Sequence, residues 1–181
     1  MTSTREILET HRLYLRPLAA RDAEFLLAHF GDDEVTRYLV DAEPLTSRAD
    51  ADRIVAFYQD AEHGQCRWML VDKRTGATIG TCGFHMCEPS YHKAEVGYDL
   101  ASSHWGQGLM TEALAEILAH AFTHMEMNRI EALVHPDNHQ SIALLDRLGF
   151  LLEGTIRDRF WFRGRYYDHR LYSLLRREWS A

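Results

Sequence analysis

The segment from Lys93 to Met125 constrains this chain more than any other, because an extended run, a glycine turn and a long apolar helix follow one another directly. Ala94-Glu95-Val96-Gly97-Tyr98-Asp99-Leu100 alternates as a strand does. Ser103-His104-Trp105-Gly106-Gln107-Gly108-Leu109-Met110-Thr111-Glu112-Ala113 then turns into a helix. Beyond the turn, Leu109, Ala113, Ile117, Ala121 and Met125 share one helical face, and Leu114, Leu118 and Phe122 widen it. So broad a stripe belongs to a helix buried against a sheet. A turn of this kind lets backbone N–H groups converge on an anion, and the helix dipole adds partial positive charge there. Gly106 and Gly108 lack the Cβ atoms that would hold a diphosphate away from the backbone. The same residues also suit an ordinary tight strand-to-helix turn, so the loop alone leaves both readings open.

Two familiar phosphate loops do not match. No Gly-x-x-x-x-Gly-Lys-[Ser/Thr] run exists. A dinucleotide fingerprint needs a third small residue where Thr111 stands and a carboxylate ending the next strand. Position 128 is Asn, and Ile130-Glu131-Ala132-Leu133-Val134 does not end in an acid.

The coarse order along the chain is β-α-α-β-β-β-α-β-α-β-β. The first strand spans about His11 to Arg16, and two helices follow. Ser47 and Asp50 stand in capping-box spacing ahead of Ala51, Ile54, Val55 and Tyr58. Trp68–Val71 and Ala77–His85 read as a hairpin around Thr75-Gly76. The central strand is Lys93–Leu100. Gly97 within it marks either a bulge or close packing. Ile130–His135 is the next strand, and Pro136-Asp137-Asn138 leads into a short helix. Gly149 suits a left-handed C′ position, with Phe150 as its apolar contact. A last hairpin turns at Arg163-Gly164. No repeat or Pro/Gly-rich linker interrupts the sequence, so residues 1–181 read as a single domain.

At 181 residues the chain is long enough to bury a substantial core. No run of 18 or more uncharged apolar residues is present, so no membrane span is expected, and the N-terminus lacks an apolar signal core. A cytoplasmic protein is the expectation. Cys66, Cys82 and Cys87 lack Cys-x-x-Cys spacing and read as reduced thiols. The net charge of −7 argues against nucleic acid and suits a cationic substrate. His120 and His124 stand four apart on the long helix; without a third ligand they read as a solvated face rather than a metal site.

Taken with its neighbours, the turn resembles motif A of the general N-acetyltransferase (GNAT) superfamily, in which [Gln/Arg]-x-x-Gly-x-[Gly/Ala] wraps the pyrophosphate of acetyl-CoA. Trp105 stands for the usual Gln or Arg, Gly108 for the first glycine and Met110 for the second small residue. The run Trp105-Gly106-Gln107-Gly108-Leu109-Met110-Thr111-Glu112-Ala113 is similar to the Rim-type subfamily of ribosomal-protein N-terminal acetyltransferases. His11-Arg12-Leu13-Tyr14-Leu15-Arg16-Pro17-Leu18, Asn138-His139-Gln140-Ser141 with Leu148-Gly149-Phe150, and Glu153-Gly154, Arg157 and Gly164-Arg165-Tyr166-Tyr167-Asp168 through Trp179 resemble further segments of that subfamily in the same order.

The resemblance implies an α/β (α+β) GNAT-like fold. Its sheet would be mixed and mostly antiparallel, with about six to seven strands splayed at the central one and about four helices flanking it. It places the cofactor half at about 93–149 and implies acetyl-CoA as cosubstrate, held by Leu100, Trp105, Gly106, Gln107, Gly108, Leu109, Met110, Thr111 and Asn138, with no metal. The acceptor would be an amine. A ribosomal or other protein N-terminus comes first, a polyamine or aminoglycoside second, and a non-catalytic acyl-CoA-binding module is the third reading. Neither nucleic acid nor membrane is an expected partner, and the chain would be a monomer or a homodimer.

Acetyl transfer to an amine needs a neutral nucleophile and a departing thiolate. An α-amine with pKa near 8 is roughly one-tenth neutral at pH 7, whereas a lysine amine is only about 0.04% neutral. Glu95 is the candidate base, because it alternates with Ala94 and Val96 and so points away from their apolar face. Its bland alternative is a solvated strand glutamate. The superfamily's tyrosine acid would fall at Leu145, so it is missing. Ser141 is the candidate hydrogen-bond donor to sulfur, against the alternative of a first-turn residue that satisfies backbone groups. Tyr98 and Asp99 are candidate acceptor-cleft residues.

Overall fold

The computed structural model describes residues 6–59 and 65–180. Among them are eight strands: β1 (Leu8–Glu9), β2 (Leu13–Pro17), β3 (Cys66–Asp72), β4 (Thr78–Glu88), β5 (Lys93–Leu100), β6 (Arg129–Val134), β7 (Leu151–Phe162) and β8 (Arg165–Leu175). Five helices accompany them: α1 (Ala23–Phe30), α2 (Asp33–Thr36), α3 (Arg48–Gln59), α4 (Leu109–Thr123) and α5 (His139–Arg147). The strands form one sheet in the order β1-β2-β3-β4-β5-β6-β8-β7. All neighbours are antiparallel except β5 and β6. This is the mixed, mostly antiparallel sheet expected. The additional elements are the two-residue β1 and the single turn of α2, both too short to leave a periodic signal.

Strand alternation sends side chains to two cores. Trp68 and Leu70 of β3 join Phe84, Val96, Leu114, Ile117 and Leu145 beneath α4 and α5. Met69, between them in sequence, faces the other way and packs with Leu18, Ala23, Leu26, Ala51 and Val55 of the α1–α3 layer. The α4 stripe behaves as its spacing predicts from Leu109 to Phe122, with Leu109, Ala113, Leu114, Ile117, Leu118, Ala121 and Phe122 all buried, but the helix ends at Thr123, so Met125 lies beyond it and is only partly buried.

His120 departs from the solvated reading. It is 4% exposed and meets Trp68 edge-on at 5.9 Å, because the wide apolar stripe carries it under the sheet. His124 stacks on it at 5.1 Å. Among the described residues no three His, Cys, Asp or Glu side chains gather as a metal site would require.

The parallel junction positions the site. β5 and β6 pair only at Lys93–Arg129, Ala94–Ile130 and Glu95–Glu131. Past Glu95 the strands part; β5 continues against β4 and β6 against β8. The gap between them is closed on one side by α5. That helix ends in the Schellman arrangement expected at Gly149. Gly149 has φ +84°, its N–H donates to Asp146 O at 3.1 Å, and Phe150 N–H donates to Leu145 O at 3.0 Å. The last hairpin turns through Arg163 (φ +48°) and Gly164 (φ +83°), both positive as a two-residue type I′ turn requires.

Candidate active site

A cleft of about 690 Å³ lies where β5 and β6 part. It is lined by the loop from His104 to Thr111, by the first turn of α5, by His85 and Glu95 where β5 and β6 still pair, and by α2, Phe160 and His169 beside the C-terminal end of β6.

The loop end is built from backbone. α4 starts at Gly108, which adopts φ +74° and offers no side-chain cap. Gly106 is also left-handed, at φ +71°, and a Cβ there would meet nothing within 4 Å. Among the described residues, the N–H groups from Gly106 to Thr111 find no acceptor. A helix start left open in this way leaves its N–H groups and the positive end of its dipole facing the cleft. Leu109 and Met110 bury their side chains in the core, so they offer the cleft mainly backbone. The remaining loop residues hold the turn. Trp105 donates its indole N–H to Leu100 O at 2.6 Å, Gln107 Nε2 donates to Ser103 O at 3.2 Å, and Arg12 donates to Gln107 O at 2.8 Å.

Two cations beside this loop escaped the sequence reading. Arg12 is fixed by Glu112, whose carboxylate accepts from Arg12 Nε at 2.6 Å, Arg12 N–H at 2.7 Å and Thr10 Oγ1 at 2.5 Å. Burial works against the charge on Glu112, but these donors outweigh it and hold its carboxyl below the ordinary range. Arg147, at the end of α5, borders the cleft and donates to Thr111 Oγ1 at 3.4 Å. Their positions follow from tertiary packing, and no local pattern announces them.

At the middle of the cleft, Asn138 caps α5, its Oδ1 accepting from Ser141 N–H at 3.1 Å. Ser141 faces β5, where its Oγ meets the Tyr98 hydroxyl at 2.5 Å. Burial pushes the Tyr98 phenol up to about 12, against the opposing pull of the Ser141 hydrogen bond. Tyr98 shares strand parity with Val96 and Leu100 and therefore faces α5. Leu145, at the usual tyrosine position, is fully buried in the core.

Glu95, Gly97 and Asp99 occupy the opposite parity. Glu95 Oε1 lies 3.0 Å from His85 Nε2. Gly97 pairs in register with Gly83, so it forms no bulge; the irregularity lies between His85 and Glu88. The His85 ring packs over the glycine, and a Cβ at position 97 would sit 2.9 Å from His85 Cε1 and push that side chain aside. Asp99 borders the cleft, yet its carboxylate is committed elsewhere. It pairs with His29 Nε2 at 2.7 Å, accepts from Thr81 N–H at 3.1 Å and Thr81 Oγ1 at 2.6 Å, and bonds Arg67. Burial opposes its charge, but Arg67, His29 and Thr81 prevail and hold the carboxyl below the usual range.

The C-terminal end of β6 adds an aromatic and histidine cluster that the sequence did not announce. His135 lies 5.3 Å from Tyr38 and 5.9 Å from His169, which meets Phe160 edge-on at 4.7 Å. Burial lowers both histidines, with mutual repulsion adding at His169. Both are therefore neutral near pH 7. Glu34 and Asp41 border the same end.

A cysteine acyl carrier is disfavoured by the three thiols. Burial pushes Cys66 up to about 12 and Cys87 up to about 11, and Cys82 higher still. The thiolate that nucleophilic attack needs is scarce in all of them.

Comparison with known proteins assigns this architecture. The family model described as an acetyltransferase (GNAT) domain matches residues 12–151. The chain is 40% identical over 178 residues to the uncharacterised N-acetyltransferase p20 of Bacillus licheniformis, covering 97% of this chain and 99% of that one. It is 28% identical over 181 residues to the [ribosomal protein uS5]-alanine N-acetyltransferase of Escherichia coli K12, covering 96% and 92%. The structure of the ribosomal-protein-S5-alanine acetyltransferase from Vibrio fischeri superposes with a TM-score of 0.78 at 26% identity, covering 97% of this chain and 100% of that one. With the parted strands, the open glycine loop and these relatives together, the chain belongs to the GNAT family of N-acetyltransferases.

Proposed function

We propose that the chain carries an acetyl group from acetyl-CoA to a primary amine, and that this amine is a protein or peptide N-terminal α-amine. The observation that carries the donor half is the row of N–H groups from Gly106 to Thr111 that find no acceptor among the described residues. A diphosphate suits that row, with Arg12 and Arg147 beside it. The parted edges of β5 and β6 offer ladder groups to a peptide-like pantetheine arm, and Asn138 stands at the same place. The amine lone pair adds to the thioester carbonyl. The C–S bond then breaks with its electrons on sulfur, and the amine proton passes to Glu95, directly or through water. Ser141 donates a hydrogen bond to the sulfur. A thiol with pKa near 8.5 leaves readily as thiolate, so no tyrosine at position 145 is required.

For the acceptor, Glu34, Asp41 and Glu95 line the cleft and favour a cationic amine, with Arg37 the cation set among them. An α-amine asks little of its base, since roughly one-tenth is already neutral at pH 7. The Escherichia coli relative, by its name, acts on an alanine of a ribosomal protein. The test is release of CoA thiol from acetyl-CoA against a panel of N-terminal peptides, polyamines and aminoglycosides. Turnover of peptides is expected. Turnover of small amines alone would overturn the acceptor, and acetyl-CoA binding without any turnover would favour a binding module.

A further inference from the structure

We propose that Tyr98 is a positioning residue for acetyl transfer: its hydroxyl donates to Ser141 Oγ and so leaves the single Ser141 proton to point at the departing sulfur. The inference rests on the reading above, in which Ser141 supports the sulfur, and it assigns the half-buried phenol that the reading leaves idle.

The geometry is specific. A serine hydroxyl has one proton and two lone pairs, and its rotor settles on whichever partner is strongest. The strongest partner of Ser141 Oγ is the Tyr98 hydroxyl, at 2.5 Å across the gap between β5 and α5. Two orientations are open to such a pair. If serine donates to tyrosine, its proton is spent and the sulfur receives nothing. If tyrosine donates to serine, the serine proton is free to turn into the cleft. Desolvation of the phenol keeps it protonated across the working pH range, so Tyr98 always has a proton to give. The buildup of charge on sulfur as the C–S bond breaks then selects the second orientation. No proton leaves either hydroxyl. The thiolate takes the C–S electron pair, the amine proton goes to Glu95, and Ser141 and Tyr98 end the cycle as they began it.

The placement also accounts for Leu145. That position turns into the core and cannot present a hydroxyl to the cleft. The tyrosine comes instead from β5, where even-numbered residues face α5, and it reaches the sulfur end only through Ser141.

The decisive experiment is a double-mutant cycle of Tyr98→Phe and Ser141→Ala, read as kcat and KM for acetyl-CoA by thiol release. Phenylalanine keeps the ring in place and removes one oxygen. Each single change should lower kcat roughly 3–10-fold, the range for one neutral hydrogen bond, with KM for acetyl-CoA within about twofold. The double variant should be no slower than Ser141→Ala alone, because without the serine hydroxyl the tyrosine has nothing to orient. A purely structural role would not produce that non-additivity. Wild-type kcat in Tyr98→Phe, alongside a slowed Ser141→Ala, would remove Tyr98 and leave the Ser141 reading standing. Multiplying effects in the double variant would also overturn the proposal. Wild-type kcat in Ser141→Ala would remove both. Melting temperatures within about 4 °C of the parent establish that each variant is folded. Should Tyr98→Phe melt lower than that, the same cycle is read at a temperature at which all four proteins are folded, under the same outcomes.

Discussion

Glu95 owes its availability to two neighbours rather than to itself. His85 lies beside its carboxylate at 3.0 Å, and Gly97 leaves the space that the imidazole fills. As the proposed base, Glu95→Gln should lower turnover by roughly 10²–10⁴-fold while KM for acetyl-CoA hardly changes. Steady-state kinetics read this directly, and near wild-type turnover would return Glu95 to a structural role. The parity of Glu95 was legible, because alternation with Ala94 and Val96 is written in the strand. Its partner was not. His85 meets Glu95 through the β4–β5 register, and alternation fixes which face a residue occupies without fixing what stands opposite it. Tyr98 shows the same limit: parity sends it towards α5, but only the packed helix shows that Ser141 waits there.

At the scale of elements, the parts with strong local chemistry were the readable ones. β5 runs from Lys93 to Leu100 as its alternation says, and the Gly149 cap and Arg163-Gly164 turn follow from residues that tolerate positive φ. Ser47 and Asp50 form their reciprocal cap, with Ser47 N–H donating to Asp50 Oδ2 at 2.9 Å and Asp50 N–H to Ser47 Oγ at 3.3 Å. What fastens the elements together was less visible. Asp99 joins β5 to His29 of α1, Arg67 of β3 and Thr81 of β4, and Arg67 continues to Tyr58 of α3 at 3.2 Å. These partners lie as many as 70 residues from Asp99 in sequence, so no window contains the network. Asp99→Ala leaves the Arg67 guanidinium buried without its carboxylate. A loss of about 3–5 kcal/mol is expected in urea denaturation, the cost of removing one partner of a buried pair. A loss below about 1 kcal/mol would show that the network adds little to folding.

Across the whole molecule, burial of titratable groups gives stability a direction with pH. His120, His135 and His169 are all lowered from 6.5, with burial the first cause in each. A group whose folded pKa is depressed binds its proton sooner when unfolded, so stability falls as pH drops through the unfolded value. Loss should therefore begin near pH 6.5, and His169→Gln should flatten the decline in melting temperature between about pH 7 and about pH 5. Glu153 extends the loss to lower pH: hydrogen bonds from Arg129 and Ser173 bring its carboxyl from 4.5 to about 2, so its contribution disappears between those values. Equal melting temperatures at about pH 7 and about pH 5 would contradict this account.

Whether the open helix start at Gly106–Thr111 holds the diphosphate of acetyl-CoA is decided by calorimetric titration of CoA into the parent and Gly108→Val. A Cβ at position 108 meets only Arg12, at 3.6 Å, so the fold has room for the side chain even though φ +74° strains it by about 1–3 kcal/mol. The parent should bind CoA, and the variant, still folded by its melting transition, should bind at least about tenfold more weakly, since losing a charge-assisted hydrogen bond costs about 1.5–3 kcal/mol. Unchanged affinity in a folded Gly108→Val protein would place the diphosphate elsewhere.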